Sequence, residues 1–142
     1  ARDMSGAVDY LAEHNANNGT GVGVIGFCMG GLLSFMIAAH RGDVVKAAVP
    51  FYGFPQGEGE PDWEGLTASV NGHMASPDDF FSPEAAQELG QRLRDMGKDV
   101  EITIHDAGHG FMNEENPGGT FDEGLAAELW PPTIEFLKSK LS

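Results

Sequence analysis

The chain has a single cysteine, few basic side chains and no long run of apolar residues in its 142 positions. One cysteine excludes an internal disulfide bond, which is typical of a reducing compartment such as the cytoplasm. Only 8 Lys and Arg residues stand against 22 Asp and Glu residues, and this acidic balance argues against nucleic acid and anionic membrane surfaces as partners. The longest apolar stretches, such as residues 32–39, are interrupted and far too short to span a membrane, and no secretory signal pattern is visible.

Strand-like and helix-like patterns alternate along the sequence. Short apolar runs bounded by turn residues predict strands over residues 21–27 and 44–52, and two further patterns predict strands over 67–75 and 100–105. Helical spacing predicts helices over residues 4–16, 30–40, 83–96 and 123–140. This alternation predicts one α/β domain over residues 1–142, with a mostly parallel sheet and helices on both faces.

Several side chains of these helices allow more detailed predictions. Ser82 is predicted to cap the third helix, with Pro83 at its first position and Gly97 at its end. The last helix is predicted to bend or restart at Pro131 and Pro132. The apolar side chains of the first helix recur at helical intervals, at Met4, Val8, Leu11 and Ala12. The side chains of the last helix predicted to face the core are Leu125, Leu129, Ile134 and Leu137.

Cys28 lies in the segment Gly-Phe-Cys-Met-Gly-Gly, after the first predicted strand and before the second helix. A reactive side chain between glycines at a strand-to-helix turn is how many hydrolases present a nucleophile. Because the turn is sharp, side chains two positions before and after the nucleophile are expected to collide with backbone, and Gly26 and Gly30 occupy those positions. A lone cysteine on an apolar segment is also often a small buried side chain, so this segment alone leaves both interpretations open.

The ends of the later strands supply partners for a thiol nucleophile. A thiol needs a base to take its proton, and the base needs a group to orient it. Asp78 and Asp79 follow the third strand and His109 follows the fourth, so the chain order Cys, Asp, His is that of α/β-hydrolases. We therefore predict Cys28 as nucleophile, His109 as base and Asp78 as orienting acid, with Asp79 as the alternative acid. The backbone N–H of Met29, at the start of the second helix, is the predicted donor to an oxyanion.

Two other motifs point to different chemistry and are set aside. Residues 21–26 spell G-x-G-x-x-G, but a dinucleotide-binding loop follows a strand and opens a helix, whereas here the motif is itself the predicted strand. His105 and His109 have a spacing seen in helical zinc sites, but Gly108 and the alternating strand before it argue against a helix. The sequence therefore predicts neither a dinucleotide cofactor nor a bound metal.

Taken together, these segments resemble the dienelactone hydrolase family of the α/β-hydrolase fold. The resemblance rests on the segment around Cys28, Phe-Tyr-Gly at 51–53, Asp-Asp-Phe-Phe at 78–81 and Ala-Gly-His-Gly-Phe at 107–111. It implies that Cys28, Asp78 and His109 form a catalytic triad, and that Tyr52 and Phe80 line the substrate pocket. The implied reaction is hydrolysis of a lactone or ester through an acyl-cysteine intermediate, without a cofactor.

Two departures from the family pattern bear on substrate and completeness. Members specific for dienelactone carry an arginine four residues after the histidine, where this chain has Asn113 followed by two glutamates, so an anionic substrate is less expected. The family domain has further strands before the helix that here begins near Met4, and residues 1–142 resemble its C-terminal portion. Because the sheet then has an open edge, we expect another copy of the chain or a further segment to cover it.

Two functions other than ester or lactone hydrolysis stay open at this point. A chain that keeps the triad residues but lacks a complete oxyanion hole would serve as a structural or interaction module. The other alternative is a dinucleotide-binding module, for which the glycine motif is the only support. The sequence does not decide the substrate or the oligomeric state.

Overall fold

A computed structural model describes residues 2–142. The elements follow in the order α1 (Arg2–Glu13), β1 (Val22–Phe27), α2 (Met29–His40), β2 (Val45–Phe51), β3 (Ser69–Ser76), α3 (Pro83–Asp95), β4 (Val100–Asp106) and α4 (Glu123–Lys140). Two short 3₁₀ turns, Gly57–Gly59 and Trp63–Gly65, lie in the loop between β2 and β3. The four strands and four helices predicted from the sequence are confirmed, and their bounds differ by a few residues.

The strands form one parallel sheet in the order β1-β2-β3-β4. Helices α1, α2 and α3 pack on one face, where Val8, Phe35 and Leu93 share a buried cluster with strand residues. Helix α4 packs on the other face, where Leu129 joins Phe51 in a second cluster. The predicted parallel sheet with helices on both faces is confirmed. Because the strands point the same way, the loops that follow them meet at one end of the sheet.

Helix α3 begins and ends where its cap residues predict. The Ser82 hydroxyl accepts a hydrogen bond from the Ala85 N–H at 3.3 Å, and Pro83 occupies the first helical position. Gly97, just beyond the helix, has a φ of 82°, the left-handed conformation that glycine adopts at helix ends without steric cost. The predicted start and stop of this helix are therefore confirmed.

One prediction about a helix face is wrong. Ile134 of α4 is 47% exposed, so its side chain does not face the core. Leu11 of α1, which has helical spacing with Val8, is 50% exposed as well. Ile134 lies one turn beyond Trp130, which is also exposed, and the two share one face of α4. Residues 2–142 cover that face only in part, so an apolar residue with core spacing lies here at an exposed position.

Helix α4 runs without interruption through Pro131 and Pro132, so it does not restart there. A proline inside a helix lacks the N–H that would bond to the carbonyl four residues earlier. For Pro131 and Pro132 these carbonyls belong to Ala127 and Glu128, which are exposed. Water can replace the lost hydrogen bonds at these positions, and the helix continues.

Strand β1 ends the sheet on one side. It pairs with β2 and, among residues 2–142, with no strand on its other side. Its side chains Ile25 and Phe27 are exposed, as are Trp130 and Ile134 of α4. We call the unpaired strand and these four side chains the β1 edge. Unpaired N–H and C=O groups along such a strand are able to pair with a further strand.

A histidine pair joins β3 and β4, the strands that lead to Asp78 and His109. His73 Nδ1 lies 2.9 Å from His105 Nε2, and the stacked rings have centroids 5.2 Å apart. Burial, with the neighbouring His105 as the second cause, lowers the pKa of His73 to about 4. Burial also lowers the pKa of His105, against the opposing charge of Glu128. Both rings are therefore neutral near pH 7.

We expect the free energy of unfolding to fall as the pH drops from 6.5 to about 4, because the unfolded chain takes up a proton at His73 that the folded chain resists. The loss is at most on the order of 3 kcal/mol. In His73→Asn this part of the pH dependence is expected to disappear. Urea unfolding at several pH values measures the free energy of unfolding of both chains. His40→Asn, which replaces an exposed histidine at the end of α2, is the control. A His73→Asn chain with the parental pH dependence would contradict the assignment.

Candidate active site

Cys28 lies in a strained turn between β1 and α2. Its φ of 58° and ψ of −119° place it in a region that residues other than glycine rarely adopt. The Cys28 N–H donates to the carbonyl of Phe51 at 3.0 Å, which joins the turn to the end of β2. The thiol is exposed, so Cys28 is not a buried core side chain.

Close backbone contacts explain three glycines around this turn. A β-carbon on Gly26 would lie 1.9 Å from the Gly30 carbonyl oxygen, and one on Gly53 would lie 1.8 Å from the Cys28 carbonyl oxygen. A β-carbon on Gly31 would lie 2.6 Å from a carbonyl oxygen at the end of β2. The prediction of crowding at Gly26 is therefore confirmed. The prediction for Gly30 is wrong, because a β-carbon there meets no atom within 4 Å outside its own helix.

Asp78 contacts the predicted base through a fully buried side chain. Its Oδ2 accepts a hydrogen bond from His109 Nδ1 at 2.7 Å, and its Oδ1 accepts from the N–H groups of Phe80 and Phe81 at 2.8 and 3.0 Å. The Asp78 side chain has no exposed surface, whereas Asp79 is exposed. Of the two acids left open by the sequence, Asp78 is the one beside the histidine.

His109 lies between this carboxylate and the thiol. Its Nε2 is 3.0 Å from Cys28 Sγ. Because Nδ1 donates to the carboxylate, hydrogen bonding assigns the lone pair of the neutral ring to Nε2, which faces the sulfur. The rings of Tyr52 and Phe80 have centroids 5.1 Å from that of His109 and restrict the orientation of the imidazole. This arrangement is able to move a proton from the thiol to the histidine.

A cleft of about 650 Å³ opens beside the thiol. Its walls are mostly aromatic, amide and sulfur-containing side chains without Lys, Arg, Asp or Glu, and the lining residues are Phe27, Cys28, Tyr52, His109, Gly110, Met112, Asn113, Asn116 and Trp130. Burial raises the pKa of Tyr52 to about 12, so its hydroxyl keeps its proton near neutral pH. Phe80 is 72% exposed and lies against the His109 ring rather than in the cleft wall.

Several residues of the cleft wall, among them Phe27, Met112, Asn116 and Trp130, were not predicted from the sequence. Phe27 directly precedes Cys28, and this adjacency was a usable signal. Trp130 and Met112 carry no such signal. The Trp130 ring centroid lies 6.1 Å from that of Phe27, but nothing in the sequence pairs a residue of the last helix with one of the first strand.

The Met29 N–H is the first of α2. The first N–H groups of a helix have no acceptor within the helix, and no other backbone group of residues 2–142 pairs with this one. It follows Cys28 directly and lies at the positive end of the helix dipole. A donor at this position is able to stabilise negative charge on an oxygen bound next to the sulfur.

The glycine motif at residues 21–26 and the two histidines at 105 and 109 have structural partners. The glycine motif lies mostly within β1, and its last glycine supports the turn at Cys28. His105 pairs with His73, and His109 pairs with Asp78. Within residues 2–142, no three His, Cys, Asp or Glu side chains are arranged to hold a metal ion. In the same part of the chain, no helix combines the length and the apolarity needed to cross a membrane.

We expect alanine at two glycines flanking the same thiol to have opposite effects. A β-carbon at Gly26 displaces the turn, so Gly26→Ala is expected to lower the free energy of unfolding by about 3 kcal/mol. Gly30→Ala places a methyl group in open space on a helix and is expected to raise it by up to about 1 kcal/mol. Urea unfolding and the rate of Cys28 alkylation check both variants. Equal stabilities for the two would contradict this account of the turn.

Comparisons with known proteins agree with this geometry. The model of the dienelactone hydrolase family matches residues 1–141. The protein usf of Aquifex pyrophilus is 31% identical over 137 residues, which cover 96% of this chain and 58% of the relative. A protein of Aquifex aeolicus provisionally named carboxymethylenebutenolidase is 28% identical over 141 residues, which cover 99% of this chain and 60% of the relative. The chain thus spans about three fifths of the length of these relatives.

A solved structure described as a dienelactone hydrolase-like promiscuous phosphotriesterase from metagenomic libraries has the same fold. It superposes on 99% of this chain and 61% of its own chain with a TM-score of 0.82, at 23% sequence identity. At that identity the likeness concerns the fold alone, and it supports the α/β-hydrolase arrangement of the sheet. Because the family model matches almost the whole of the sequence, the chain belongs to the dienelactone hydrolase family.

Proposed function

We propose that this chain carries the catalytic chemistry of a carboxylic ester or lactone hydrolase. Cys28 is the nucleophile, His109 is the base and Asp78 orients the base. The observation that supports this most directly is the pair of contacts at His109, 3.0 Å from Nε2 to sulfur and 2.7 Å from Nδ1 to the carboxylate. A base must lie within hydrogen-bond reach of the proton it takes and must itself be oriented, and both contacts meet this requirement. This chemistry needs no cofactor.

The first half of the reaction acylates the cysteine. As the sulfur attacks the carbonyl carbon, His109 Nε2 takes the thiol proton and the carbonyl oxygen gains negative charge. The Met29 N–H donates to that oxygen. The C–O bond to the leaving alcohol then breaks, and His109 gives its proton to the alcohol oxygen, which leaves an acyl-thioester on Cys28. Asp78 keeps the ring oriented and stabilises the imidazolium throughout.

The second half releases the acid. His109 takes a proton from a water molecule, whose oxygen attacks the thioester carbonyl carbon. The C–S bond breaks, the carboxylic acid leaves and Cys28 recovers its proton from His109. With a lactone as substrate, the alcohol and the acid are two ends of one molecule.

The cleft favours uncharged substrates with an apolar group. Its aromatic wall, formed by Phe27, Tyr52 and Trp130, suits a flat or aliphatic acyl group. No Lys or Arg side chain in the lining offers a positive charge to a substrate carboxylate, and Asn113 of the lining is an uncharged amide. The formal net charge of −14 also repels anions. We therefore propose a small neutral ester or lactone as the substrate class.

Substitutions in the triad test this proposal. Cys28→Ala is expected to lower hydrolysis of p-nitrophenyl acetate at least about 10³-fold, and Asp78→Asn about 10²- to 10⁴-fold, because the base loses its orienting partner. Asp79→Asn, which changes the exposed neighbour, is the matched control and is expected to keep the parental rate. Mass spectrometry is expected to detect one added acyl group in the parent and none in Cys28→Ala.

Two outcomes would count against this mechanism. A Cys28→Ala chain that hydrolyses the ester as fast as the parent would exclude Cys28 as the nucleophile. A well-folded parent that never acylates would favour the alternative in which the chain is a structural or interaction module without a complete oxyanion hole. A lone exposed thiol that must stay reduced for this chemistry is consistent with a cytoplasmic location, which we propose together with the activity.

We further propose that a strand from another copy of the chain, or from a further segment, covers the β1 edge. The support is the unpaired side of β1 and the exposed side chains of Ile25 and Phe27 beside it. Sedimentation velocity is expected to show self-association of the isolated chain, and Ile25→Lys is expected to shift it toward the monomer. Met96→Lys, at an exposed position after α3, is the control. A monomeric parent would exclude a second copy and favour a further segment.

A further inference from the structure

The carbonyl group of His109 is held by two side chains of its own loop. This loop, residues 107–122, joins β4 to α4 without helix or strand. Asn116 Nδ2 donates to the His109 carbonyl oxygen at 3.1 Å, and the Thr120 hydroxyl donates to the same oxygen. Asn116 Nδ2 also lies 3.2 Å from the Gly110 carbonyl oxygen and within hydrogen-bond distance of Thr120 Oγ1. Two consecutive carbonyls of the loop are thus bound by one small polar cluster.

The orientation of the Asn116 amide follows from its partners. Its Oδ1 accepts a hydrogen bond from the Gly118 N–H at 2.8 Å, and carbonyl oxygens surround its nitrogen. An exchange of the amide oxygen and nitrogen would place oxygens against oxygens and a nitrogen against an N–H. The network therefore has one consistent arrangement, with the amide donating toward the main chain of His109.

The glycines on both sides of His109 fit against the same two side chains. A β-carbon on Gly108 would lie 2.6 Å from Thr120 Cγ2, and one on Gly110 would lie 2.3 Å from Asn116 Nδ2. Gly110 also has a φ of 85°, a conformation that favours glycine. The Gly-His-Gly sequence is thus explained by the close approach of this backbone to Asn116 and Thr120.

We propose that Asn116 and Thr120 are positioning residues for the base, holding the His109 main chain so that Nε2 stays within reach of the Cys28 sulfur. The inference rests on the proposed function of the triad. The Asp78 carboxylate orients the imidazole ring but leaves the main chain at position 109 to its own contacts, and those in the structure are the hydrogen bonds to its carbonyl. A displacement of about 1 Å is enough to lower a rate about 100-fold.

The rate of Cys28 alkylation by iodoacetamide tests this inference without requiring ester turnover. The thiolate is the reactive form of a cysteine. At pH 7 the alkylation rate therefore reports on proton transfer to His109, whereas at about pH 10 hydroxide in solution is able to take a thiol proton without a neighbouring base. At pH 7, Thr120→Val and Asn116→Ala are each expected to react about tenfold more slowly than the parent. At pH 10 their rates are expected to match it. A merely structural defect would not depend on pH in this way.

Matched variants separate the hydroxyl and amide groups from general effects on the loop. Thr120→Ser keeps the hydroxyl and is expected to restore the parental rate at pH 7. Glu114→Gln changes an exposed side chain of the same loop that does not line the cleft, and it is expected to react like the parent. Thermal unfolding is measured first. If Thr120→Val does not fold, Asn116→Ala and Thr120→Ser carry the comparison.

Failure of this inference is distinguishable from failure of the proposed function. His109→Ala is expected to slow alkylation at pH 7 at least as much as either loop variant. If His109→Ala is slow while folded Thr120→Val and Asn116→Ala react like the parent, the positioning role is wrong and the triad stands. If His109→Ala itself reacts like the parent, the pairing of Cys28 with His109 is without effect, and both proposals are overturned.

Discussion

The hydrogen bond from the Cys28 N–H to the Phe51 carbonyl joins the nucleophile turn to the neighbouring strand, and the rest of the site depends on it. It holds a residue with a φ of 58°, a conformation that persists only where the surroundings impose it. The backbone contacts at Gly26, Gly31 and Gly53 leave the turn no room for a side chain at those positions. Because β2 is paired with both β1 and β3, the same bond fixes the thiol relative to the strand that leads to the acid.

The elements and the polar side chains of the site could be predicted because their signals are local. Cys28 lies among glycines directly after an apolar run, and His109 lies between glycines shortly after an alternating strand pattern. The errors concern contacts between segments far apart in the chain. Gly30 was expected to be crowded because of its place relative to the thiol, but the crowding depends on how β2 approaches and falls on Gly31. Ile134 has core spacing but lies over the open side of the sheet.

Charge is distributed unevenly between the surface and the site. The chain carries 22 acidic residues, yet no carboxylate lines the cleft. The one carboxylate that takes part in the site, Asp78, reaches His109 from beneath the surface. The acidic exterior and the apolar cleft therefore act in different ways. The exterior sets which molecules approach, and the cleft sets which of them fit.

The burial of Asp78 links the active site to folding. A carboxylate without exposed surface must have partners for its oxygens, and here they are two N–H groups of its own turn and the His109 ring. Loss of the imidazole leaves the buried carboxylate with one partner fewer, which lowers the stability of the fold in addition to the activity we propose. Selection for a folded chain would therefore act against loss of the histidine alone. We therefore expect a descendant that had lost the proposed activity to keep Asp78 and His109 together, because the pair also supports the fold.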